Sequence, residues 1–436
     1  MTWKRTSTIL TLIVTLGTVV PAAATTRAPA PSVVEALDRT AHPLRTVEPG
    51  GDTRDLRPLD RMIADAEVVG VGEATHSSHD FFALKARLFR HLVEKKGFRT
   101  FALEAPWSTG LRLDDYVVHG KGDPRRIMRE EFQRDYLWWN NTDYLRLVEW
   151  MRAYNIRHPA DPVRFLGDDT AWTGLEVYDT VVARVAAADP ASGRRLNGLY
   201  RGLRPTVPTG TYIEGYLGKP YAERREMAER TGEALELVRG AGVDDRTVQD
   251  ATVIDRTAHQ YAFDFEEPGQ IAEAMRYRDH AMAANVLWWQ RHSGTRVLLS
   301  AHDDHVGYES YDPAYPKMQG AFLRDGLGAS YVNIGLTFDR GSFNATDQDE
   351  TAVRRWTVGP AAPGSNERTL DRVRYRDYAV DLRTVGSPAR TWLCRARPTY
   401  RIGTAYPDGP HDVALARTHD ILIHLHRVTA ARLRDR

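Results

Sequence analysis

The chain has 436 residues, of which 42% are hydrophobic and 27% charged, and its formal net charge is +1. These values are ordinary for a soluble globular protein and argue against a disordered chain. The near-neutral charge also argues against nucleic acid as a partner, because phosphate binding depends on a strongly basic surface. The single cysteine, Cys394, excludes an intramolecular disulfide, so a large hydrophobic core must supply the stability.

The N-terminus has the pattern of a secretory signal peptide. Lys4 and Arg5 precede an apolar run over residues 9–20, and small residues follow at 21–24. The apolar run is shorter than the about 20 residues that span a bilayer. We therefore predict a signal peptide over residues 1–24, secretion, and no stable membrane association after cleavage. An uncleaved N-terminal anchor is the alternative interpretation.

The rest of the chain is predicted to form one domain after a short lead-in. Residues 25–60 are interpreted as an N-terminal lead-in segment that begins rich in proline and alanine, and residues 61–436 as the domain. Breaks within the domain are short turns and not linkers. From about residue 172 to 292 the periodicity is mainly helical, which predicts a helical insertion that covers a sheet. Its longest helical segments are 221–239, 245–265 and 270–291.

Short apolar runs alternate with amphipathic stretches on both sides of this insertion. Buried strands are predicted, in chain order, at residues 68–71, 100–103, 163–167, 296–300, 330–336, 375–381 and 420–424. Between the first three, apolar residues recur at helical intervals over 81–96 and 144–154. This order of elements predicts an α/β fold with a parallel sheet covered by helices.

Ionisable side chains directly follow three of these strands. Glu73 and His76 come after the first, Glu104 after the second, and His302 and His305 after the fourth. Loops at the carboxyl edge of a parallel sheet open into a crevice where ligands bind. We therefore expect the five side chains to converge, and proton transfer or metal binding is the chemistry that suits such a cluster.

Glu73 and His76 are predicted to act as a pair. They are three residues apart where a strand gives way to a helix, so they share a face of the first turn. A carboxylate beside an imidazole fixes its tautomer and raises its basicity, which makes a general base near neutral pH. The alternative is a metal-ligand pair, as in carboxylate-bridged helical bundles.

Glu104 stands among apolar neighbours, where an unpaired carboxylate is costly to bury. The functional interpretation is a second acid that orients a histidine or a water molecule. The structural alternative is an ion pair with Arg112.

His302 and His305 form a His-x-x-His pair with two aspartates between them. This spacing is compatible with zinc, but the His-Glu-x-x-His pattern of zinc enzymes is missing. We predict a metal-free site without a cofactor, although the five groups offer enough ligands for a divalent metal. Asp168, which follows the third strand, and Asp303 are assigned to substrate binding.

The first motif, residues 68–85, closely resembles the strand-to-helix signature of the erythromycin esterase superfamily, which includes proteins described as succinoglycan biosynthesis proteins. The resemblance continues over most of the chain, through residues 101–105, 278–285, 301–307, 333–343, 378–383 and 420–424.

This resemblance implies a three-layer α/β/α core with helical additions, and hydrolysis of a macrolide lactone in the characterised members. Carried over by motif, His76 would be the general base that activates water, and Glu73 would orient it. Glu104 and the two later histidines would complete the catalytic site. Lys85 lies where relatives have Arg or Lys, and is predicted to steady the oxyanion of the tetrahedral intermediate.

Asp303 departs from the family pattern, in which Asn usually occupies this position. The added carboxylate favours the charged form of a nearby imidazole. Export is a second difference from the resistance esterases. Three functions stay open: a hydrolase of a small-molecule ester or macrolactone, a lactone-forming or group-transfer enzyme of natural-product or polysaccharide biosynthesis, and a binding protein. No Gly-x-Ser-x-Gly motif is present, so a serine nucleophile is not supported.

Overall fold

The computed structural model describes residues 31–349 and 352–435. The predicted signal peptide, residues 1–24, lies outside these ranges. No helix within the two ranges combines the length and the apolar character that crossing a membrane requires.

The described chain contains more helix than strand. The α-helices are, in chain order, α1 (Pro31–Thr40), α2 (Arg57–Ile63), α3 (His79–Lys96), α4 (Trp107–His119), α5 (Pro124–Glu131), α6 (Thr142–Arg157), α7 (Leu175–Ala188), α8 (Pro190–Leu199), α9 (Thr209–Leu217), α10 (Tyr221–Gly240), α11 (Asp245–Gln260), α12 (Pro268–Ser293), α13 (Asp303–Val306), α14 (Gln319–Leu327), α15 (Asn366–Leu370), α16 (Ala389–Leu393) and α17 (Leu415–Thr418). Short 3₁₀ helices lie at Arg54–Leu56, Arg134–Trp139 and Gly328–Ser330.

The strands are β1 (His42–Pro43), β2 (Val68–Val71), β3 (Phe98–Pro106), β4 (Arg164–Asp169), β5 (Arg296–Ser300), β6 (Tyr331–Thr346), β7 (Val353–Val358), β8 (Tyr378–Asp381), β9 (Arg397–Thr399), β10 (His411–Val413) and β11 (Ile421–Val428). Within the described residues, one nine-stranded sheet has the order β1-β8-β11-β6-β2-β5-β3-β4, with β7 beside β6. Its central strands, from β11 to β4, run parallel. Within this sheet only β1, β7 and β8 pair antiparallel with a neighbour, so the sheet is mainly parallel, as predicted. The described strands β9 and β10 form a separate antiparallel pair.

Helices cover both faces of this sheet. Successive strand residues point to opposite sides, so the strands present apolar side chains to a helical layer on each face. On one face, α3 and α6 pack on Val69, Val71, Phe101, Leu103, Phe165 and Leu298. On the other face, α12 and α14 pack on Val68, Ala102, Leu166, Val297 and Leu299. The three-layer α/β/α core implied by the resemblance is therefore confirmed.

The helices of the insertion have a core of their own. Six of the described helices, α7 to α12, lie between β4 and β5 and span Leu175–Ser293, close to the expected 172–292. Their buried side chains include Val181, Leu196, Tyr200, Leu235 and Ile254.

The segment predicted as a lead-in takes part in the fold. In α1, Leu37 is fully buried in a cluster with Tyr378, Val380 and Leu422, and β1 pairs with β8 at the edge of the sheet.

Local sequence signals fix where α3 ends and where α6 begins. Gly97 ends α3 with φ at 71°, a left-handed conformation that glycine adopts without steric cost. Asn141 begins α6, because its side chain accepts hydrogen bonds from the amides of Asp143 and Tyr144. α3 begins directly after the turn that carries the first motif, and α6 packs against α3.

Candidate functional site

The turn between β2 and α3 holds a buried carboxylate between a histidine and a lysine. Glu73 Oε1 lies 3.0 Å from His76 Nδ1, and Glu73 Oε2 accepts a hydrogen bond from Lys85 Nζ. Lys85 is fully buried and also donates to the carbonyl of Ala301 at 3.1 Å. Because Nδ1 of His76 faces Glu73, Nε2 is the ring nitrogen available to take a proton from a substrate or water.

Glu73 is held in its ionised form by these neighbours. Burial alone would raise the pKa of its carboxyl group, but the Lys85 charge and the hydrogen bond to His76 lower it below its ordinary value. An ionised carboxylate beside an imidazole favours the charged form of the ring.

Glu104, at the end of β3, connects both later histidines. Its Oε2 accepts the backbone N–H of His302 at 2.9 Å, and its Oε1 lies 3.2 Å from Nε2 of His305. Its ion-pair partner is Arg278 at 3.2 Å and not Arg112, which binds two other glutamates; the alternative partner named from the sequence was therefore wrong. Burial opposes ionisation of Glu104, but His305, His76 and Arg278 hold its pKa well below the usual range.

His302 brings the third motif next to the first. The ring centroids of His302 and His76 are 4.8 Å apart, and Trp139 lies 5.2 Å from His76 on another side. His302 Nδ1 is 3.3 Å from a carboxylate oxygen of Asp304. Burial lowers the pKa of His302, but Asp304, followed by Asp303 and Glu104, raises it above the ordinary value.

His305 lies between two carboxylates. Its Nδ1 is 2.5 Å from Asp279 Oδ1 on α12, and its Nε2 faces Glu104. Although burial favours the neutral ring, Glu104 and Asp279 raise the pKa of His305 well above its ordinary value. A guanidinium nitrogen of Arg278 also lies 3.2 Å from Nε2 of His305.

Arg278 attaches the insertion to the sheet beside this histidine. Its guanidinium donates to Asp169 at 2.5 Å, and the hydroxyl of Tyr136 donates to the same carboxylate at 2.6 Å. Asp169 does not cap the following helix, because α7 begins after Gly174. The end of β4 is thus joined directly to α12.

The two aspartates predicted to bind substrate are fully buried against protein groups. Asp303 accepts from Arg401 and from the amide of Leu336 at 2.9 Å. It lies so close to Gly72 that a Cβ there would come within 1.9 Å of Asp303 Oδ1. Asp168 accepts from the side-chain amide of Gln319 at 2.7 Å, and burial raises the pKa of Asp168 well above its ordinary value. Contact with a substrate stays a prediction for both.

An excess of acidic side chains explains why the pKa values of His302 and His305 are raised. The cluster contains six carboxyl groups but three lysine or arginine side chains, and an excess of acidic neighbours favours the charged form of an imidazole. The carboxyl groups are those of Glu73, Glu104, Asp169, Asp279, Asp303 and Asp304, and the cations are Lys85, Arg278 and Arg401.

The five predicted side chains therefore meet at the carboxyl edge of the sheet, and Lys85 lies behind Glu73. Sequence reasoning missed the roles of Arg278, Asp279 and Arg401. The first two lie in the segment 278–285 that resembles the family, and the available signal was a pair of adjacent charges on a helix with a buried apolar face. Arg401 follows a short strand and carried no recognisable pattern.

A mainly parallel sheet with paired carboxylates and histidines at its carboxyl edge defines an α/β protein equipped for proton transfer. A sequence model described as erythromycin esterase matches residues 93–428, and this chain belongs to that family. The match begins inside α3, so the Glu73–His76 turn precedes it.

Similar proteins agree with this assignment. Erythromycin esterase type II of Escherichia coli is 24% identical over 327 residues, which are 68% of this chain and 74% of that protein. A putative hydrolase of Bacillus subtilis strain 168, YbfO, is 24% identical over 165 residues, covering 37% and 34% of the two chains.

Solved structures extend the likeness to almost the whole fold. A Bacillus cereus protein superposes with a TM-score of 0.82 at 26% identity, covering 93% of this chain and 99% of the other. A succinoglycan biosynthesis protein gives 0.82 at 25%, covering 93% and 98%. A mutant of the erythromycin esterase EreC in its open conformation gives 0.67 at 16%, covering 91% and 100%, which shows a shared fold.

Proposed function

We propose that this protein is a secreted hydrolase of a carboxylic ester or lactone, and that His76 activates the attacking water. The observation that carries the proposal is the buried Glu73–His76 hydrogen bond, because it leaves Nε2 as the one ring nitrogen placed to act as base. Membership in the erythromycin esterase family supports the hydrolase class, and the N-terminal sequence pattern supports export. Group transfer and non-catalytic binding are not favoured by this membership.

The first chemical step is attack of water on the ester carbonyl. His76 Nε2 takes a proton as the water oxygen bonds to the carbonyl carbon, and the carbonyl electrons move to its oxygen. The negative charge of that oxygen needs a fixed positive group close by. We assign this role to His302, whose ring centroid lies 4.8 Å from that of His76; its Nε2, which lies 3.3 Å from the carbonyl oxygen of Ile402, would donate to the oxyanion in place of that carbonyl.

The second step is departure of the alcohol. The tetrahedral intermediate collapses, the bond between carbon and the leaving oxygen breaks, and His76 returns its proton to that oxygen. Lys85 is buried behind Glu73, so we assign it to keeping Glu73 ionised and in place, in preference to the predicted contact with the oxyanion. His305 and Arg278 hold Glu104, which in turn fixes the backbone of His302.

The protein that begins at residue 25 should be screened against macrolactones and simple aryl esters, with and without a strong chelator. His76→Asn, verified as folded by circular dichroism, is the matched background control. We expect the wild type to hydrolyse at least one of these substrates and to retain this activity after chelation. His76→Asn should lack the activity. Equal rates in the two proteins would contradict the proposal. Mass spectrometry of the exported protein's N-terminus tests the predicted cleavage.

A further inference from the structure

A second group of histidine and aspartate side chains lies on the β6–β11 part of the sheet. β11 carries His424 and His426, which are two residues apart and therefore project from the same face of the strand. β6 runs parallel beside β11 in a register that pairs His424 with Thr337 and places Asp339 next to His426. None of the described hydrogen bonds or ion pairs joins these residues to the His76 cluster.

Asp371, directly after α15, completes the group. Single ligand atoms of Asp339, Asp371 and His426 lie within 4.8 Å of one another. Asp371 Oδ1 is 2.6 Å from His426 Nδ1 and 3.5 Å from His424 Nε2. Two imidazole nitrogens and two carboxylate oxygens form a donor set that zinc accepts in four-coordinate sites.

His424 gives an independent indication of a ligand. Its side chain is fully buried, and its Nε2 makes no hydrogen bond within the described residues, since the carboxylate oxygen that faces it, Asp371 Oδ1, is 3.5 Å away. A buried polar atom without a partner costs free energy, and coordination to a cation would satisfy it. Its Nδ1 lies 3.0 Å from the hydroxyl of Thr337. A hydrogen bond of this kind from the other ring nitrogen is typical of metal-ligating histidines, because it fixes the tautomer and the ring orientation.

Arg340 contacts one oxygen of each carboxylate in this group, and none of the described hydrogen bonds joins it to Oδ1 of Asp371. Its guanidinium donates to Oδ2 of Asp339 at 2.7 Å and approaches Oδ2 of Asp371 at 3.5 Å. Oδ1 of Asp371 therefore remains directed at the two histidines. Two carboxylates exceed the single positive charge of Arg340, so the group retains a negative charge that attracts a divalent ion.

We propose that His424, His426, Asp371 and Asp339 bind a zinc ion. Four protein ligands would close the coordination shell, which is the mark of a structural site and not a catalytic one. The ion would tie β6 and β11 to the end of α15 and stabilise this part of the fold, since a metal that binds only the folded state raises stability.

The experiment measures zinc content and zinc affinity of the purified protein after chelator treatment. Stripped wild type, reloaded in zinc buffer and desalted, should hold about one zinc ion per chain, and its melting temperature should rise with zinc concentration. His426→Asn and Asp371→Asn should lose the ion and the temperature shift. Thr337→Val should keep the fold and weaken zinc affinity by about 10–100-fold, because it removes only the outer hydrogen bond.

Two controls separate this site from other histidines. His119→Asn alters an exposed histidine and should bind zinc as the wild type does. His76→Asn should also keep the ion. Loss of zinc in His76→Asn with retention in His426→Asn would place the ion in the catalytic cluster and overturn the proposal. Wild type that takes up no zinc would overturn it without any variant, even where a ligand variant fails to fold.

Discussion

The carboxylate of Glu73 lies 3.0 Å from Nδ1 of His76, and both side chains are more than nine-tenths buried. The pair is supported from behind by Lys85, which reaches the second oxygen of the same carboxylate. One acid thereby orients the proposed base and neutralises a buried ammonium. Removing the acid should therefore affect both catalysis and folding.

Glu73→Gln should lower kcat/KM for the best ester substrate by about 10²–10⁴-fold, because His76 loses the group that fixes its tautomer and stabilises its charged form. Steady-state kinetics of the folded variant checks this. Glu94→Gln, an exposed change on the same helix α3, is the control and should leave kcat/KM near the wild-type value. A Glu73→Gln variant as active as its control would contradict the orienting role.

Lys85→Met should lower the free energy of unfolding by about 3–5 kcal/mol, because it leaves the buried carboxylate of Glu73 without its cation. Urea denaturation gives this value, and Lys95→Met on the exposed side of α3 is the control. The double variant Glu73→Gln/Lys85→Met should recover much of the loss, since no charge then remains unpaired. Purely additive effects of the two changes would argue against coupling.

Asp279→Asn should change the pH profile of hydrolysis. Asp279 raises the pKa of His305, so its loss lets His305 lose its proton at lower pH. If the protonated ring of His305 supports the reaction, the alkaline limb of the kcat/KM profile should move to lower pH. Glu273→Gln, exposed on the same helix α12, should leave the profile unchanged. A uniform fall in rate with an unmoved limb would indicate a role in packing alone.

His79 should make stability depend on alkaline pH. Its ring lies between Asp143 and Glu48, and these carboxylates raise its pKa from 6.5 to about 9 against the effect of burial. A folded-state pKa above the unfolded value gives stability that is fully present below pH 6.5 and is lost as pH rises through about 9. The free energy of unfolding should fall across this window in the wild type, and the fall should be smaller in His79→Asn.

His158→Asn, at an exposed histidine bonded to a backbone carbonyl, is the control for this pH effect. This variant should show the wild-type fall of the free energy of unfolding between pH 6.5 and 9. Equal slopes in all three proteins would show that His79 does not contribute to it.

Local sequence patterns predicted the strands at the centre of the sheet and the helices that cover them. The predicted bounds of β2 and β5 coincide with the observed ones, because each is a short buried run with clear ends. The prediction for β6 stopped at residue 336, whereas the strand continues to Thr346. Residues 337–341 of the extension pair with β11 and residues 341–346 pair with β7, and no local periodicity reports such contacts between distant segments.

The residues of the candidate site also fall into two groups: those that local sequence patterns predict, and those that only the packing of distant elements brings together. Residues directly after strands, such as His76 and Glu104, could be predicted because the loops that leave parallel strands meet at the carboxyl edge of the sheet. Asp279 and Arg401 reach the cluster from α12 and from the loop after β9, and their approach depends on how distant elements pack. Burial of Lys85 behind Glu73 likewise emerges only when α3 is placed on the sheet.

The central claim is that His76 activates water directly, and the rate of ester hydrolysis by His76→Asn tests it most directly. With the best substrate from the ester and lactone screen, kcat/KM should fall by about 10²–10⁴-fold relative to the wild type, at an unchanged melting temperature. A folded His76→Asn protein with wild-type kcat/KM would contradict the account.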